Sequence, residues 1–154
     1  MEFKNTWNVW YHHMKDNWKL SGYRKIYNIT NIQNFWELYN NWNKLGGILS
    51  KQFFIMKNNI TPLWEDKMNI NGGCWSLKIN INLAEKLWEY LSILLVSENI
   101  YDNNNINGLS ICVKKNNICV IKIWIKDNNN NIKLLNKDIF EKYQPEILFI
   151  INNK

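Results

Sequence analysis

Alternation of apolar and polar positions is the first regular feature of the chain. Seven stretches alternate in this way or are rich in β-branched and aromatic residues, as half-buried strands are. We predict these stretches as strands: Thr6–Tyr11, Lys25–Ile29, Gln52–Met56, Cys74–Ile79, Leu109–Val113, Ile118–Ile125 and Ile147–Ile151. Two neighbouring strands flank Asn116-Asn117, a pair suited to the turn of an antiparallel hairpin. The pattern indicates one large sheet of seven or eight strands.

Three other segments have the apolar spacing of helices. Each opens at an Asn or Thr that can cap a helix N-terminus, and we predict helices at Asn31–Asn43, Asn82–Ser97 and Ile132–Tyr143. The Asn runs at Asn103 to Asn105 and Asn128 to Asn131 lie between periodic segments, so we predict surface turns there. The fold class is α+β, with the helices covering one face of the sheet.

The first predicted helix has one apolar side chain outside its buried stripe. The stripe itself consists of Ile32, Phe35, Leu38, Tyr39 and Trp42. Trp36 lies roughly 100° around the helix axis from Phe35, so we expect it at the edge or outside. The second predicted helix leaves Glu89, Tyr90 and Ile93 facing outward. An exposed apolar strip of this kind is a candidate partner site, and a Trp tucked under a loop is the alternative.

Length, charge and tryptophan content limit the class of protein. The 154 residues fit one domain, 1–154, that can fold alone. The net charge of +6 favours a polyanionic partner such as nucleic acid, although lysine enrichment by an AT-rich genome explains it equally well. The nine Trp exceed an average composition several-fold. Large aromatic side chains either pack in a core or stack on exposed bases.

The sequence gives no sign of a metal site, of secretion or of a membrane span. Cys74, Cys112 and Cys119 lack the spacing of zinc ligands, and His12 and His13 are adjacent rather than one helical turn apart. No stretch reaches the roughly 18 apolar residues of a membrane span, and the first ten residues contain no apolar secretory segment. We expect reduced cysteines, no cofactor, no membrane contact and a soluble cytoplasmic monomer.

Seven short motifs follow one another along the chain: Trp7-Asn8-Val9-Trp10, Trp18, Phe35-Trp36-Glu37-Leu38-Tyr39-Asn40, Pro62-Leu63-Trp64-Glu65-Asp66, Gly72-Gly73-Cys74-Trp75, Trp88-Glu89-Tyr90-Leu91 and Ile123-Trp124. In these residues and intervals the chain resembles the eukaryotic translation initiation factor 4E family, the messenger RNA cap-binding proteins. The resemblance covers nearly the whole chain and depends on the order of the motifs rather than on any one of them. It implies a curved antiparallel sheet backed on its convex face by three helices, which agrees with the strand and helix pattern.

The resemblance implies that the chain binds the 7-methylguanosine cap. Trp18 and Trp64 would stack on the two faces of the methylated base, whose positive charge an indole attracts. Glu65 would accept the two hydrogen-bond donors on the guanine edge, and Trp124 would contact the methyl group. From the residues alone, a Trp in a loop is more often a lid on the core, and the pair Glu65-Asp66 is more often solvated charge.

The triphosphate of the cap requires cations at one end of the slot. By the same resemblance Lys114 takes the place of a phosphate-binding arginine, and Lys115 follows it. A lysine supplies a point charge in place of a bidentate fork. Lys122 is the best substitute for the next family lysine, because in a strand it shares a face with Trp124. An ordinary solvated hairpin is the alternative for all three lysines.

The family also offers an exposed helical face to a scaffold protein of the initiation factor 4G type or to a repressor. The residues that match this partner face are Ile32, Trp36, Tyr90 and Ile93. Glu89 departs from the family, which tends to have an apolar residue there, and this favours a dedicated partner. The chain ends at Asn152-Asn153-Lys154, where the family usually continues. Together with the Asn/Ile/Lys-rich composition, these departures favour a viral origin or another AT-rich parasite lineage.

The leading hypothesis is a translation initiation factor that binds capped messenger RNA and recruits a scaffold. One alternative is a repressor that sequesters caps, and another is a general single-stranded RNA-binding module, which would bind unmethylated RNA almost as well. We do not expect an enzyme. The acidic residues are scattered instead of clustered around a metal, and no Ser or Cys lies at an identifiable spacing from the two His.

Overall fold

The computed structural model describes residues 2–100 and 105–153. Within these ranges the chain forms seven strands and three α-helices, in the order β1 Glu2–His12, β2 Tyr23–Asn31, α1 Ile32–Asn41, β3 Phe53–Lys57, β4 Gly73–Asn80, α2 Ile81–Val96, β5 Ile106–Val113, β6 Ile118–Ile125, α3 Asp138–Tyr143 and β7 Glu146–Ile151. All seven predicted strands are present. The predicted turn at 128–131 is an exposed segment after β6, and Asn103 and Asn104 of the other run lie outside the described residues.

The strands form one curved antiparallel sheet in the order β2-β1-β3-β5-β6-β4-β7. β5 and β6 form the predicted hairpin, in which Val113 pairs with Cys119. Asn116 and Asn117 at its turn both have left-handed backbone angles, with φ of 63° and 60°. The Lys114 amide donates to the Ile118 carbonyl, so three residues, 115–117, connect the paired strands. Asn adopts the left-handed conformation more readily than most residues, and the Asn pair therefore suits this turn.

The sheet has a helical face, covered by α1 and α2, and an open face. On the helical face alternate strand residues such as Val9, Ile55 and Leu109 are fully buried. Burial of each such side chain stabilises the fold by about 1.5–3 kcal/mol, so the main core lies here. The open face carries a separate, smaller apolar cluster: Trp10, Phe54, Met56, Ile60, Cys74 and Trp124.

Helix α1 shows the predicted asymmetry. Its N-terminus is capped by Asn31, whose Oδ1 accepts a hydrogen bond from the Asn34 amide at 2.8 Å. Phe35 is fully buried, whereas Trp36 is 40% exposed. Ile32 is 48% exposed, so its predicted place in the buried stripe is wrong. It is the first residue of the helix, and only the following turns pack on the sheet.

The prediction of one continuous third helix over Ile132–Tyr143 is wrong. Its first three residues form a 3-10 turn, the backbone is extended at Leu135, and only the last six residues form α3. The helix is interrupted at Asn136, whose Oδ1 accepts from the Asp138 amide at 3.0 Å. Such a local side-chain bond competes with helix formation. The apolar spacing did not reveal the break, because Leu135 before it and Ile139 after it are both buried in the core.

The tryptophans divide into a buried set and an exposed set. All nine lie within the described ranges, and six of them have at most 8% of their surface exposed: Trp7, Trp10, Trp42, Trp75, Trp88 and Trp124. Trp18, Trp36 and Trp64 are 59%, 40% and 46% exposed. Core packing therefore accounts for most of the tryptophan surplus. The three exposed indoles are the ones that packing leaves unexplained.

The described residues contain neither a metal-binding cluster nor a membrane-spanning helix. No group of three or more His, Cys, Asp or Glu side chains in 2–100 and 105–153 is placed to hold a metal ion. In the same ranges, no helix has the length and apolar character needed to cross a membrane.

Candidate functional site

A small cavity on the open face is lined by side chains from several separate segments of the chain. It encloses about 230 Å³, and its lining residues are Trp18, Tyr23, Gln52, Phe54, Pro62, Leu63, Trp64, Glu65 and Trp124. All four residues predicted to bind the base are among them. The exposed side chains of Trp18 and Trp64 lie at its mouth, while the buried Trp124 forms part of its floor.

Trp18 is carried by a short, hydrogen-bonded loop between β1 and β2. The Asn17 side chain organises this loop, because its Oδ1 accepts from the Lys19 amide at 3.0 Å and its Nδ2 donates to Ser21 Oγ at 2.9 Å. Gly22 permits a close approach of the chain, since a Cβ there would lie 2.0 Å from the Asn17 carbonyl oxygen. The exposed indole is therefore attached to an ordered backbone.

Trp64 and Glu65 lie at the tip of the loop between β3 and β4, which Asp66 holds together from inside. The Asp66 carboxylate accepts hydrogen bonds from Thr61 N, Thr61 Oγ1 and Met68 N at 2.9, 2.6 and 2.8 Å. Burial acts to raise the pKa of this carboxyl, but the hydrogen bonds outweigh burial and leave the pKa below its ordinary value. Of the two acids, Asp66 is thus a structural group and Glu65 is the exposed one.

A second inward side chain, Asn69, ties the same loop to the centre of the sheet. Asn69 is fully buried, and its Nδ2 donates to the carbonyls of Thr61 and Leu63 at 3.1 and 2.8 Å. Its Oδ1 accepts from Asn107 Nδ2 of β5 at 2.9 Å. Buried amides with complete partners fix geometry. The loop that carries Trp64 is therefore fastened to the strand beside Trp124.

The floor and the rim of the cavity also have defined positions. Trp124 Nε1 donates to Ser110 Oγ at 3.1 Å, and Phe54 packs against the indole with ring centroids 6.2 Å apart. At the rim, burial raises the pKa of the Tyr23 hydroxyl, and the nearby Glu65 charge raises it further. Tyr23 is therefore neutral near pH 7, and the Glu65 carboxylate lies close to it at the edge of the cavity.

Lys122 is the predicted phosphate-binding lysine that the fold places beside the cavity. It lies two residues before Trp124 on β6, in register with Ser110 on β5 and Ser76 on β4. Its ammonium group lies near Cys74 on the open face. Burial raises the pKa of the Cys74 thiol to about 12, and the positive charge of Lys122 opposes this rise. One cation thus stands next to the floor of the cavity.

Lys114 and Lys115 are placed differently, because both are exposed at the far end of the β5–β6 hairpin. The Lys114 amide donates to the Ile118 carbonyl at 2.7 Å, and Trp124 lies six residues farther along the strand. Six residues of strand span about 20 Å. The structure therefore brings Lys122 to the cavity and leaves the other two lysines at a distance from it.

The predicted partner face lies on the outer surfaces of α1 and α2. Ile32 and Trp36 of α1 are exposed, and Ile93 of α2 is half-buried. Below them the Tyr39 hydroxyl donates to Ser92 Oγ at 2.8 Å, which joins the two helices. The exposed apolar strip is thus supported by a fixed contact between α1 and α2.

Tyr90 and Glu89 give this face an uneven character. The Tyr90 ring lies 5.7 Å from the Tyr143 ring, and Lys142 Nζ lies 5.2 Å from its centroid, so much of Tyr90 is engaged with α3. Glu89 is exposed, and its charge adds to the effect of burial in raising the pKa of the Tyr39 hydroxyl. The carboxylate is therefore close to α1, the helix that carries Trp36.

A larger recess lies between β2 and α1 but does not suit a base. It encloses about 440 Å³ and is lined by Ile26, Tyr27, Glu37, Leu38, Asn41, Lys44 and Leu45. Among these residues Tyr27 is the single aromatic, so no pair of rings can enclose a purine between them. The larger recess therefore lacks the several aromatic side chains that line the smaller cavity.

Sequence reasoning missed the role of several lining residues. Phe54 was recoverable, because alternation along β3 places it on the face opposite to the core residues Phe53 and Ile55. Tyr23 was not, because it begins β2 immediately after the irregular loop. Gln52 begins the predicted strand Gln52–Met56 and alternates with Phe54, so its face was recoverable, but nothing in the sequence indicated a role for its polar side chain. The sequence therefore identified the rings and the acid but not their surroundings.

A family model described as Eukaryotic initiation factor 4E matches residues 2–153. The chain belongs to the eukaryotic initiation factor 4E family. Among its relatives, Drosophila melanogaster eukaryotic translation initiation factor 4E1 is 30% identical over 133 residues, which cover 82% of this chain and 50% of that protein. The chain spans about half the length of the curated relatives it matches.

Solved structures of initiation factor 4E proteins have the same fold. The Ascaris suum eIF4E-3 complex with m2,2,7G cap superposes with a TM-score of 0.80 at 21% identity, covering 97% of this chain and 90% of that one. The schistosome eIF4E complexed with m7GpppG and 4E-BP gives 0.80 at 21% identity, with 96% and 86% covered. At such identity the likeness establishes the initiation factor 4E fold.

Proposed function

We propose that this member of the initiation factor 4E family binds the 7-methylguanosine cap of messenger RNA in the cavity described above. The observation that carries the proposal is convergence: Trp18, Trp64, Glu65 and Trp124 come from three distant parts of the chain and line one cavity. Two relatives of the same fold were crystallised with the caps m2,2,7G and m7GpppG. The four residues are our assignment for binding the base.

The chemistry of the lining residues suits a methylated guanine. The ring carries a positive charge, and an indole face attracts a cation by about 0.5–2 kcal/mol. With Trp18 and Trp64 on its two faces, the methylated base gains this attraction twice, whereas an unmethylated guanine has only neutral stacking. The carboxylate of Glu65 accepts from the ring N–H and the exocyclic amine together. Trp124 on the floor is our assignment for the contact with the methyl group.

We assign the triphosphate to lysines on the open face. Lys122 is the first, because it stands beside Trp124 on the same strand face. Lys114 and Lys115 lie at the far end of the hairpin, about 20 Å from Trp124, so they are assigned to the distal phosphates or to the RNA that follows. Lysines placed along the hairpin make the binding free energy of a polyanion on this surface more favourable.

The test is a titration of the protein with 7-methylguanosine triphosphate and, separately, with unmethylated GTP, followed by Trp fluorescence and calorimetry. We expect at least about tenfold tighter binding of the methylated nucleotide, which corresponds to about 1.4 kcal/mol. Trp64→Ala is expected to abolish this preference, while the matched control Trp36→Ala, at an exposed indole outside the cavity, keeps it. Equal binding of both nucleotides by the unaltered protein favours a general single-stranded RNA-binding module instead.

We further propose that the α1–α2 face recruits a scaffold protein of the initiation factor 4G type or a dedicated equivalent. The schistosome relative was crystallised with 4E-BP, which supports a protein-binding surface on this fold. Glu89 favours a second candidate, a cap-sequestering repressor, because a carboxylate close to α1, the helix that carries Trp36, disfavours an apolar partner helix. Addition of the protein to a lysate depleted of its own cap-binding factor separates the two: a recruiter restores translation of a capped reporter, and a sequesterer does not.

The remaining assignments are that 1–154 acts as one cap-binding domain, as a cytoplasmic monomer without enzymatic activity. The isolated chain is expected to elute as a monomer and to leave 7-methylguanosine triphosphate intact during prolonged incubation, as followed by chromatography. Release of a nucleoside mono- or diphosphate by the purified protein, and its loss in a Trp64→Ala variant, contradicts the assignment of a binding protein.

A further inference from the structure

His12, the last residue of β1, stacks directly on Trp18. The centroids of the imidazole and the indole are 4.1 Å apart, and the ring planes differ by 20°. His12 Nε2 is 2.7 Å from the Asn17 carbonyl oxygen, and because a carbonyl only accepts, Nε2 carries the hydrogen and donates it. The imidazole also contacts Tyr23, with centroids 4.7 Å apart. The ring is therefore fixed on three sides.

The imidazole covers one face of the indole. Trp18 lines the cavity, and His12 is not among its lining residues, although its cross-strand partner Tyr23 is; we take the uncovered face of the indole as the one that is open to the ligand. The His12 backbone is anchored as well, because its amide donates to the Gln52 carbonyl at 3.1 Å. A 59% exposed indole thus has a rigid support on one face only.

We propose that His12 is a positioning residue that holds the Trp18 plane open to the cavity before the ligand arrives. An exposed Trp side chain without this support samples several rotamers, and binding must then restrict them. The stacked imidazole removes that cost in advance. The hydrogen bond from Nε2 to the Asn17 carbonyl also helps to hold the indole, because it connects the imidazole to the residue that precedes Trp18. The inference rests on the proposed cap-binding function of the cavity.

Three substitutions separate the stack from the hydrogen bond. His12→Ala removes both, His12→Phe keeps an aromatic ring without a donor, and His12→Asn keeps a donor without a ring. We expect His12→Ala and His12→Asn to weaken the binding of 7-methylguanosine triphosphate about 3- to 10-fold, the range of one aromatic pair. His12→Phe is expected to restore affinity to within about twofold of the unaltered protein. Equal weakening by Phe and Ala, or no weakening by Ala, overturns the proposal.

A double-mutant cycle shows whether His12 acts through Trp18. In a Trp18→Ala background, His12→Ala is expected to cause no further loss of affinity, because the supported ring is already absent. Additive losses from the two substitutions contradict a positioning role. They would mean that His12 contacts the nucleotide itself.

A measurement without nucleotide keeps this inference distinct from the proposed function. With 5-fluorotryptophan incorporated, the ¹⁹F resonance of Trp18, assigned by its absence in Trp18→Phe, is expected to shift and broaden in His12→Ala and to stay sharp in His12→Phe. An unchanged resonance in His12→Ala refutes the positioning role whatever the protein binds. If the resonance changes but the protein does not bind 7-methylguanosine triphosphate, His12 does position Trp18. The proposed cap-binding function is then refuted.

Discussion

Replacement of Asp66 by Ala is expected to destabilise the fold, whereas replacement of its neighbour Glu65 is not. Asp66→Ala leaves Thr61 N, Thr61 Oγ1 and Met68 N without their acceptor. A hydrogen bond to a charged group contributes about 1.5–3 kcal/mol, but this carboxylate is only partly buried and water replaces some of the loss. We therefore expect a net loss of about 2 kcal/mol, which lowers the Tm of a chain of this size by about 4–8 °C.

The same prediction has a pH dependence with a defined sign. The pKa of Asp66 is lowered in the folded protein from an ordinary value of 3.8. A group with a lowered folded pKa stabilises the native state fully above its unfolded pKa, and this contribution is lost as the pH falls through the folded value. The difference in Tm between the unaltered protein and Asp66→Ala is therefore constant from neutral pH down to about pH 5, and it shrinks below the ordinary value.

The assay is thermal unfolding followed by circular dichroism across this pH range, with Glu65→Ala as the matched control. Glu65 is exposed, so Glu65→Ala is expected to keep its Tm within about 1 °C while losing affinity for 7-methylguanosine triphosphate. The reasoning is refuted by a Tm of Asp66→Ala equal to that of the unaltered protein. It is also refuted if the difference in Tm between the unaltered protein and Asp66→Ala stays the same from pH 7 to well below pH 4. In that case the ionised carboxylate of Asp66 contributes nothing to stability.

Three further substitutions test other parts of the account. Gly22→Ala places a Cβ against the Asn17 carbonyl oxygen, so the Trp18 loop must move, and calorimetry is expected to show at least about tenfold weaker nucleotide binding; unchanged affinity means that the loop adapts freely. Lys122→Ala is expected to weaken 7-methylguanosine triphosphate by about 3- to 10-fold and the uncharged nucleoside hardly at all, and equal effects on both would place Lys122 away from the phosphates. Glu89→Leu is expected to strengthen the binding of a 4E-BP helical peptide in fluorescence anisotropy, because an apolar helix no longer meets a carboxylate close to α1; unchanged affinity would place the peptide elsewhere.

The strands were predictable because each buries one face. A period of two is easy to see when the inward residues are as apolar as those of β6, and Asn116-Asn117 indicated the adjoining turn. The third helix was not predictable as observed. Its interruption depends on Asn136 bonding to the Asp138 amide and to the carbonyl of Asn99, and the second of these contacts joins residues 37 positions apart. Apolar spacing along one segment carries no information about such a partner.

The candidate site divides in a similar way. Trp18, Trp64 and Glu65 were recognisable because they stand in motifs, and exposed indoles separate from core indoles once the stripes are known. The roles of Asp66 and His12 were not recognisable from sequence. Asp66 looks like solvated charge until its loop closes on it, and His12 looks like one half of an adjacent pair until the β1–β2 loop folds back and places Trp18 on its ring.

Intermolecular nuclear Overhauser effects between the N7-methyl group of bound 7-methylguanosine triphosphate and the side-chain protons of the protein test most directly whether this cavity binds the base. We expect contacts from this methyl group to the indoles of Trp18, Trp64 and Trp124. Contacts to Tyr27 and Leu38 of the recess between β2 and α1, with none to these three indoles, would contradict this expectation.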